Sequence, residues 1–536
     1  MSETAAAFDA LRDEYFSVWL RYHPDLAIEV GVPGYAHLLP AQSDDELAAL
    51  GGWLETLVVA LEELDYAELD RERQIDLRLM FGAAQAEHRE LLERDWRHRD
   101  PLRFLPVGEI YRLTQQPSDD LRDALVGLLE SVPEYLRLAV AHLRPMAELI
   151  PPELLAAAVD EIKRGRCYLR ELEQSPWLRR SCRGWSQIEF LLGQACSALS
   201  AFGDSLSSEI ATRAAGQLGC GEGHLRLLFR HRHFLEIDPD AARSALTQAL
   251  ETSREMLSLL CSEMGLAPGD AWRHLGAQRI EPEDWLGFCW QESEGLEAFV
   301  RQTGLFSLPE ADLNIRVRPS CPRPQRFATD YVADRKARRG TFFVRASGET
   351  NAAAEPRSRL RARCLAGTWG GSHLLTFAAD DAGWRLPRRL CAGGGFAAAW
   401  GLYLRERLIE LGYLDDENRL LALLQRASSI ELALLDLDIH LGLADGPQAR
   451  ERLDKLPLTT GSDLVYLARH PGSAVAGVLG WQTILDARAA SMSRERDRFS
   501  ERAFHDRLLG CGPIPLSLAL PPGATDAKVP APEAVP

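Results

Sequence analysis

Apolar side chains recur every three to four residues along most of this chain, and that spacing constrains its fold more than any other feature. One stripe consists of Leu121, Leu125, Leu128, Val132, Leu136, Ala139 and Leu143. Another consists of Leu420, Leu423, Ala427, Ile430, Leu434 and Leu437. Such spacing predicts amphipathic helices with one buried face. Pro133 either begins a second helix or kinks one long helix. The predicted fold class is mainly α.

Two short segments depart from the helical pattern. Residues 313–318 alternate between apolar and polar side chains, and residues 341–344 are aromatic or β-branched with one Thr at the start. Both patterns are typical of strands, and both lie in a Pro- and Gly-rich neighbourhood. We therefore predict a small β insertion near residues 313–346 within a large helical body.

The sequence contains no clear linker and no repeat of about 20 to 50 residues. We therefore predict a single helical domain over residues 1–512. Residues 513–536 contain seven prolines in 24 positions and are expected to form an extended Pro-rich tail.

A net charge of −17 argues against nucleic acid or an anionic membrane as a partner of the surface as a whole, because polyanions need a basic surface. The uncharged stretches 390–404 and 471–485 are shorter than the roughly 18 apolar residues of a membrane span. The first residues, MSETAAAFDALRDEYF, contain acids and no apolar run, unlike a secretory signal. We expect no nucleic-acid partner, no membrane partner and a cytoplasmic location.

Ten cysteines are scattered through the chain without any Cys-x-x-Cys pair. They are Cys167, Cys182, Cys196, Cys220, Cys261, Cys289, Cys321, Cys364, Cys391 and Cys511. This distribution predicts small buried thiols in a reducing compartment, with no disulfide framework and no zinc knuckle.

One segment has the opposite charge to the rest of the chain. Residues 316–363 contain 13 Lys or Arg and 4 Asp or Glu, a local net charge of 13 − 4 = +9. Arg357, Arg359, Arg361 and Arg363 alternate within it and would project to one side of an extended strand. The segment is either a solvated face paired with acids or a docking surface for an anionic ligand.

Familiar catalytic motifs are absent: there is no His-Glu-x-x-His helix, P-loop, Gly-x-Ser-x-Gly elbow or Gly-x-Gly-x-x-Gly turn. His224, His231 and His233 come closest to a ligand cluster. His231 and His233 would point to different sides of a helix, so we interpret them as surface or capping residues. The motifs imply neither a metal nor another cofactor.

Several segments nevertheless carry a family resemblance. In the C-terminal third they are Trp400-Gly-Leu-Tyr403, Asp436 with His440, Pro471-Gly-Ser-Ala474 with Gly480, Ile484 and Arg488, and Phe504-His-Asp506 with Leu508, Leu509, Gly512, Pro515 and Leu516. Earlier segments are Trp19-Leu-Arg-Tyr-His-Pro24, Gly31 and Arg99-Asp-Pro101. From about Phe8 to Leu516 the chain resembles the bacterial family called domain of unknown function 885. Its typical members are similar to gluzincin-type zinc peptidases, so the resemblance implies a helical body around a deep cleft.

The chain departs from this family at the metal-binding landmarks. In the family motif His-Glu-x-x-Pro-Gly-His-His-Leu-Gln, two ligand histidines correspond to Ala366 and Ser372 and the general-base glutamate to Gly367. A further carboxylate corresponds to Ala398, and a tyrosine to Gly477. Catalytic zinc needs about three protein ligands, and its bound water needs a base. The resemblance therefore implies a degenerate site without zinc.

Some polar and aromatic landmarks survive, and we take them as candidates for lining the cleft. They are His373, Trp400, Tyr403, His440, Arg361, Arg363 and Arg488. Polar residues in clefts often mark binding sites. The alternative is that the aromatics are packed, the histidines are hydrogen-bonded core residues and Arg488 is a structural ion-pair partner.

Three functions remain open on this basis. The first is a metal-free pseudopeptidase that binds a peptide, a small acidic molecule or a partner protein. The second is an enzyme of a biosynthetic pathway that reuses the cleft, with Arg361 and Arg363 binding an acidic substrate and His373 or His440 acting as acid or base. The third is a peptidase whose metal ligands lie elsewhere in the chain.

Overall fold

The computed structural model describes residues 2–115, 120–317, 331–344, 355–383, 386–456 and 461–520. Within these ranges helices dominate and strands are short. The predicted mainly α fold class is therefore confirmed.

The described chain divides into two compact units, residues 2–218 (unit 1) and residues 219–520 (unit 2). This division differs from the predicted single domain over residues 1–512. Four glycines between Gly216 and Gly223 mark the junction in the sequence. A β-carbon on Gly216 would lie 2.1 Å from the Leu149 carbonyl oxygen, and one on Gly219 would lie 2.3 Å from the Ile439 carbonyl oxygen. Each of these glycines thus allows close backbone packing within its own unit.

Unit 1 is built from helices packed on one another. They are α1 Glu3–Tyr22, α2 Pro24–Val30, α3 Asp44–Glu62, α4 Arg71–Glu93, α5 Val107–Gln115, α6 Leu121–Leu143, α7 Pro152–Gln174, α8 Pro176–Ser181 and α9 Trp185–Ser205. The first leucine stripe lies buried along α6, which continues through Pro133 as a single helix. The helix pairs α6–α9, α7–α9 and α3–α4 form the main packing interfaces.

Unit 2 contains the remaining helices. They are α10 Glu222–Leu228, α11 Pro239–Glu263, α12 Ala271–Leu275, α13 Trp285–Thr303, α14 Arg357–Gly367, α15 Ser372–Asp381, α16 Leu386–Leu390, α17 Gly395–Glu410, α18 Asp416–His440, α19 Gly446–Asp454, α20 Gly461–Arg469, α21 Ser473–Glu495, α22 Glu501–Cys511 and α23 Leu516–Ala519. The second leucine stripe lies on α18, which packs against α11, α17 and α21.

The strands of unit 2 form two small sheets. They are β1 Arg279–Ile280, β2 Asp312–Val317, β3 Tyr331–Asp334, β4 Arg339–Val344 and β5 Glu355–Pro356. One sheet has the order β2-β4-β3, in which β2 and β4 are parallel and β3 and β4 antiparallel; the other pairs β1 with β5 antiparallel. Ile315, Phe342 and Val344 pack with Trp285 of α13 and Leu360 of α14. The predicted β insertion is therefore present and lies against these two helices.

Local sequence explains where several helices begin. The Ser43 side chain accepts from the Glu46 amide and the Glu46 carboxylate accepts from the Ser43 amide, so this pair caps α3 from both directions. Asp445 and Gln448 form the same arrangement at α19. At the other end of a helix, Gly31 ends α2 with φ 76°, a left-handed conformation that suits glycine.

Two expectations about the second half of the chain need correction. Cys289 of α13 and Cys364 of α14 form a disulfide, with 5.7 Å between their α-carbons, although the sequence predicts only free thiols. Their separation of 75 residues gives no short-range spacing that would indicate pairing. The folded chain also extends beyond the predicted boundary at 512, because Ile514, Leu516 and Leu518 are buried. Of the predicted tail, residues 521–536 lie outside the described residues.

Candidate functional site

The segment aligned with the family's metal-binding motif forms the junction of α14 and α15. Helix α14 ends at Gly367, and α15 begins at Ser372. Ala366 is exposed, Ser372 is partly exposed and Gly367 is buried. A β-carbon on Gly371 would lie 2.1 Å from the Ala366 carbonyl oxygen, so the turn between the helices accepts only glycine there.

Gly367, the position that the resemblance assigns to the motif's glutamate, has no room for a side chain. A β-carbon built on it would lie 2.2 Å from Cδ2 and 2.3 Å from Cε2 of Phe342. The Phe342 ring is itself buried in the core between the sheet and helices α13 and α14. The space into which a glutamate at position 367 would extend is therefore filled by this ring.

Gly477 and Ala398, the other two positions at which the resemblance implies a change, contact each other across the interface of α17 and α21. A β-carbon on Gly477 would lie 2.9 Å from the Ala398 β-carbon. The same interface brings Gly395 against Ala476, where a β-carbon on the glycine would lie 2.8 Å from that of the alanine. Small residues let these two helices approach closely, and a tyrosine at position 477 would force them apart.

His373 is fully buried and does not line an open surface. Its Nδ1 shares a 2.9 Å hydrogen bond with the Tyr331 hydroxyl, and its ring packs edge-on against Trp369 and Phe377. Burial lowers the pKa of His373 to about 4, so the imidazole is neutral at pH 7. These contacts agree with the alternative interpretation of His373 as a hydrogen-bonded core residue. They do not agree with the expectation that His373 lines the cleft.

Asp436 and His440, the Asp-x-x-x-His pair, are also fully buried. The Asp436 carboxylate accepts hydrogen bonds from the amides of Gly472 and Ala474, at 3.0 and 3.1 Å, and so caps the start of α21. Burial raises the pKa of Asp436 to about 7 despite these bonds. The His440 Nδ1 accepts from the Cys220 amide at 3.1 Å, and its Nε2 lies 3.0 Å from the Leu467 carbonyl oxygen. This landmark therefore holds the Pro471-Gly472 turn in place.

The aromatic landmarks Trp400 and Tyr403 lie in a buried cluster with His505. The Tyr403 hydroxyl is 2.7 Å from His505 Nε2, and His505 Nδ1 is 2.7 Å from the Leu305 carbonyl oxygen. His505 was not a candidate from the sequence, although it lies in the closing Phe504-His-Asp506 motif. The cluster explains why that motif and the Trp400 helix occur together.

Arg488 forms an ion pair with Glu501, with 3.0 Å between its Nε and the carboxylate. Arg407 reaches the same carboxylate at 2.8 Å. The two guanidinium groups lower the pKa of Glu501 although burial opposes them. Arg488 is therefore a structural ion-pair partner, which was the alternative interpretation from the sequence.

The four alternating arginines of the basic segment lie on helix α14, so they do not take the extended conformation that would place them on one side. A helix points Arg357, Arg359, Arg361 and Arg363 in different directions. Arg361 holds the Glu292 carboxylate through two bonds of 2.7 and 2.8 Å, and Arg363 pairs with Glu355 at 2.7 Å. These contacts agree with the interpretation of the basic segment as a face whose cations pair with acids of the chain. The parts of the segment at 318–330 and 345–354 lie outside the described residues.

His231 and His233 are buried, which corrects their interpretation as surface residues. They lie in a π-helical turn, Phe229–His233, that follows α10. The His233 Nε2–H group donates to the Pro471 carbonyl oxygen at 2.8 Å. Burial lowers the pKa of both histidines to about 4.

The burial of three histidines predicts that acid will destabilise the protein. His231, His233 and His373 have folded-state pKa values near 4, below the value of about 6.5 in an unfolded chain. Their stabilising contribution is therefore complete above about pH 6.5 and is lost as the pH falls towards 4. The contribution of Asp436, whose pKa is raised by burial, has the opposite pH dependence, but it is one group and the buried histidines are three. Urea unfolding at pH 7 and pH 5 is expected to give a lower midpoint at pH 5; equal midpoints would contradict the histidine burial.

The positions implied by the family motif do not fit a zinc ion. Ala366, Gly367 and Ala398 have no side-chain donor atoms, and of these aligned positions at the α14–α15 junction Ser372 alone has a hydroxyl. His373 is engaged with Tyr331 instead. Across the described residues, no group of three or more His, Cys, Asp or Glu side chains is arranged to hold a metal.

Comparison with solved structures shows that the fold is shared. A protein from Shewanella oneidensis, described as a "putative lipoprotein of unknown function", matches with a TM-score of 0.72 and 14% identity over 97% of this chain and 99% of that one. A "putative lipoprotein" from Colwellia psychrerythraea matches with a TM-score of 0.79 and 15% identity over 97% and 98% of the two chains. At such low identity the likeness establishes the fold alone.

The descriptions of these two proteins contradict the expected cytoplasmic location. Both are described as putative lipoproteins, and a lipoprotein is anchored in a membrane or exported. Among the described residues, no helix has the length and apolar character needed to cross a bilayer.

Comparison with family models gives a match to bacterial proteins of unknown function, DUF885, over residues 24–519. Comparison with curated proteins gives no match. The matched range covers both units and all the landmark segments from Pro24 onward. The chain therefore belongs to the DUF885 family of bacterial proteins.

Proposed function

We propose that this protein is a pseudopeptidase: a binding protein that keeps the helical body of its family, holds no catalytic zinc and recognises peptides without cleaving them. A small acidic molecule or a partner protein remains an alternative ligand. The observation that carries this proposal is the contact between Gly367 and Phe342. It means that the general-base position has lost both its carboxylate and the space for one.

Two further features support the proposal. The close contact of Gly477 with Ala398 removes the space for the family's tyrosine as well as its hydroxyl. The turn at Gly371 nevertheless keeps the backbone of the motif. Loss of chemistry combined with retention of the surrounding fold is what selection for binding alone would leave.

The alternative of an enzyme acting on an acidic substrate has less support. It needs Arg361 and Arg363 to be available to a substrate, and both hold carboxylates of this chain, Glu292 and Glu355. It also needs His373 or His440 to exchange protons, and both are fully buried. No observation favours this function over binding.

Incubation of the protein with a mixed peptide pool and added zinc tests the proposal. Mass spectrometry is expected to show peptides that are retained on the protein and remain intact. An active relative that carries the complete family motif provides the positive control for cleavage. Chelator-sensitive cleavage by this protein would overturn the proposal.

A further inference from the structure

The short helix α8 and the start of α9 form a basic and aromatic end of unit 1. Residues 174–188 contain Arg179, Arg180 and Arg183 and no acid, in a chain with a net charge of −17. The same residues include Trp177 and Trp185. A locally basic stretch in an acidic chain is either paired with acids of that chain or available to an external anion.

The packing of α8 determines which of its side chains face outward. Leu178 is fully buried, whereas its neighbour Trp177 is 39% exposed. Arg180 lies three residues after Trp177, and side chains at that spacing share one face of a helix. Because Arg180 is also exposed, the outward face of α8 presents an indole ring beside a guanidinium group.

Arg179 joins α8 to the helices before and after it. Its guanidinium group donates to the Glu173 carbonyl oxygen at 3.1 Å, lies 5.3 Å from the centre of the Trp185 ring and is 3.5 Å from the Glu189 carboxylate. Phe190, the next residue of α9, is 63% exposed. The end of α7, the whole of α8 and the start of α9 therefore meet here, and α8 and α9 each expose a large apolar ring.

Three arginines of these helices have no carboxylate partner in the described part of the chain. Arg170, one turn before the end of α7, is exposed, as are Arg180 and Arg183, and none of the three forms an ion pair there. Several other exposed arginines of unit 1 do pair with acids, as Arg137 does with Glu134. The positive charge at this end of unit 1 is therefore available to an external anion.

We propose that this basic aromatic surface, formed by Arg170, Trp177, Arg180, Arg183 and Phe190, binds a membrane that contains anionic lipid. The guanidinium groups attract lipid phosphates, and the two rings insert among the headgroups, where aromatic side chains are favoured. Few arginines suffice for a membrane because burial of the rings adds to their attraction, whereas a nucleic acid would have to be held by charge.

This surface is a local exception to the expectation of no membrane partner, which was drawn from the charge of the surface as a whole. The inference concerns unit 1 alone and does not depend on the proposed peptide binding.

Co-sedimentation of the full-length protein with vesicles tests the proposal. Vesicles of equal parts phosphatidylglycerol and phosphatidylcholine are compared with vesicles of phosphatidylcholine alone. At low salt the protein is expected to bind the anionic vesicles at least about tenfold more tightly, and binding should weaken as salt screens the arginine charges. Equal binding to both kinds of vesicle, or binding to neither, would overturn the proposal.

The double variant Arg180→Glu with Arg183→Glu tests the role of the cations. It is expected to weaken binding to anionic vesicles by about thirtyfold or more, since each cation near an anionic surface contributes about a fivefold gain in affinity. Arg21→Glu with Arg71→Glu changes the net charge equally at exposed positions on α1 and α4 and should preserve most of the binding. Equal losses for the two double variants would show that total charge is responsible and would overturn the assignment to this surface.

Trp177→Ser and Phe190→Ser test the insertion of the rings. Each is expected to weaken vesicle binding by about fivefold or more with little change in melting temperature, because both side chains are exposed. Leu92→Ser removes an apolar side chain exposed on α4 of the same unit and should leave binding unchanged. Ring variants that bind vesicles as tightly as the wild type would overturn the assignment to a membrane, even if the arginine variants lost binding.

Discussion

Replacing Gly367 by glutamate is expected to lower the free energy of unfolding by about 3–5 kcal/mol, the range for overpacking combined with an unpaired buried charge. The reason is the Phe342 ring, which lies 2.2 Å from the position of the new β-carbon. Moving that ring would disturb the core it shares with Trp285 and Leu360. Chemical denaturation followed by far-ultraviolet circular dichroism measures the loss.

Ala366→Glu is the matched control for this prediction. It introduces the same side chain one residue earlier, where the chain is exposed, and is expected to change stability by less than about 0.5 kcal/mol. The double variant Gly367→Glu with Phe342→Ala tests the cause, because removing the ring should offset part of the loss. If the Gly367→Glu variant were as stable as the Ala366→Glu variant, the contact with Phe342 would not be what excludes a side chain at position 367.

Replacing Asp436 by alanine is expected to cost about 2–4 kcal/mol, because it removes a helix cap and leaves buried amides without acceptors. The amides are those of Gly472 and Ala474 at the start of α21. Asp416→Ala, at an exposed position on the same helix, is expected to have little effect. Equal losses for the two variants would contradict the capping role of Asp436.

The effect of Asp436→Ala should also depend on pH. The folded-state pKa of Asp436 is raised to about 7, above the unfolded value of about 4. Its protonated form therefore contributes stability that is complete below about pH 4 and is lost as the pH rises through 7. The difference between wild type and variant should be larger at pH 5.5 than at pH 8. A difference that grows with pH would show that the carboxylate is ionised in the fold.

The helical architecture could be predicted from the sequence because local periodicity determines it. The stripe from Leu121 to Leu143 and the stripe from Leu420 to Leu437 both lie on continuous helices. The alternating arginines of residues 357–363 would share one side only in an extended strand, and they lie on helix α14 instead. A period of two fits a strand, but here Leu360, which lies between two of the arginines, and Cys364, which follows them, pack on one face of a helix.

The landmark segments could be located in the sequence, but the environment of their side chains could not be predicted from it. The segments that carry the resemblance fall at the α14–α15 junction and at the α17–α21 contact. The burial of these side chains could not be predicted. Asp436 caps a turn 36 residues away in the sequence, and Tyr403 hydrogen-bonds a histidine 102 residues away. Such contacts depend on how helices pack, and no local pattern indicates them. His373 and His440 therefore resembled site residues, although they are hydrogen-bonded within the core.

The metal content of the protein after equilibration with zinc tests the central claim most directly. The purified chain is dialysed against excess zinc, then exhaustively against metal-free buffer, and analysed by inductively coupled plasma mass spectrometry. If the ligand positions are as empty of donors as Ala366, Gly367 and Ala398 indicate, zinc is expected well below one ion per chain. One tightly held zinc ion per chain would contradict the account.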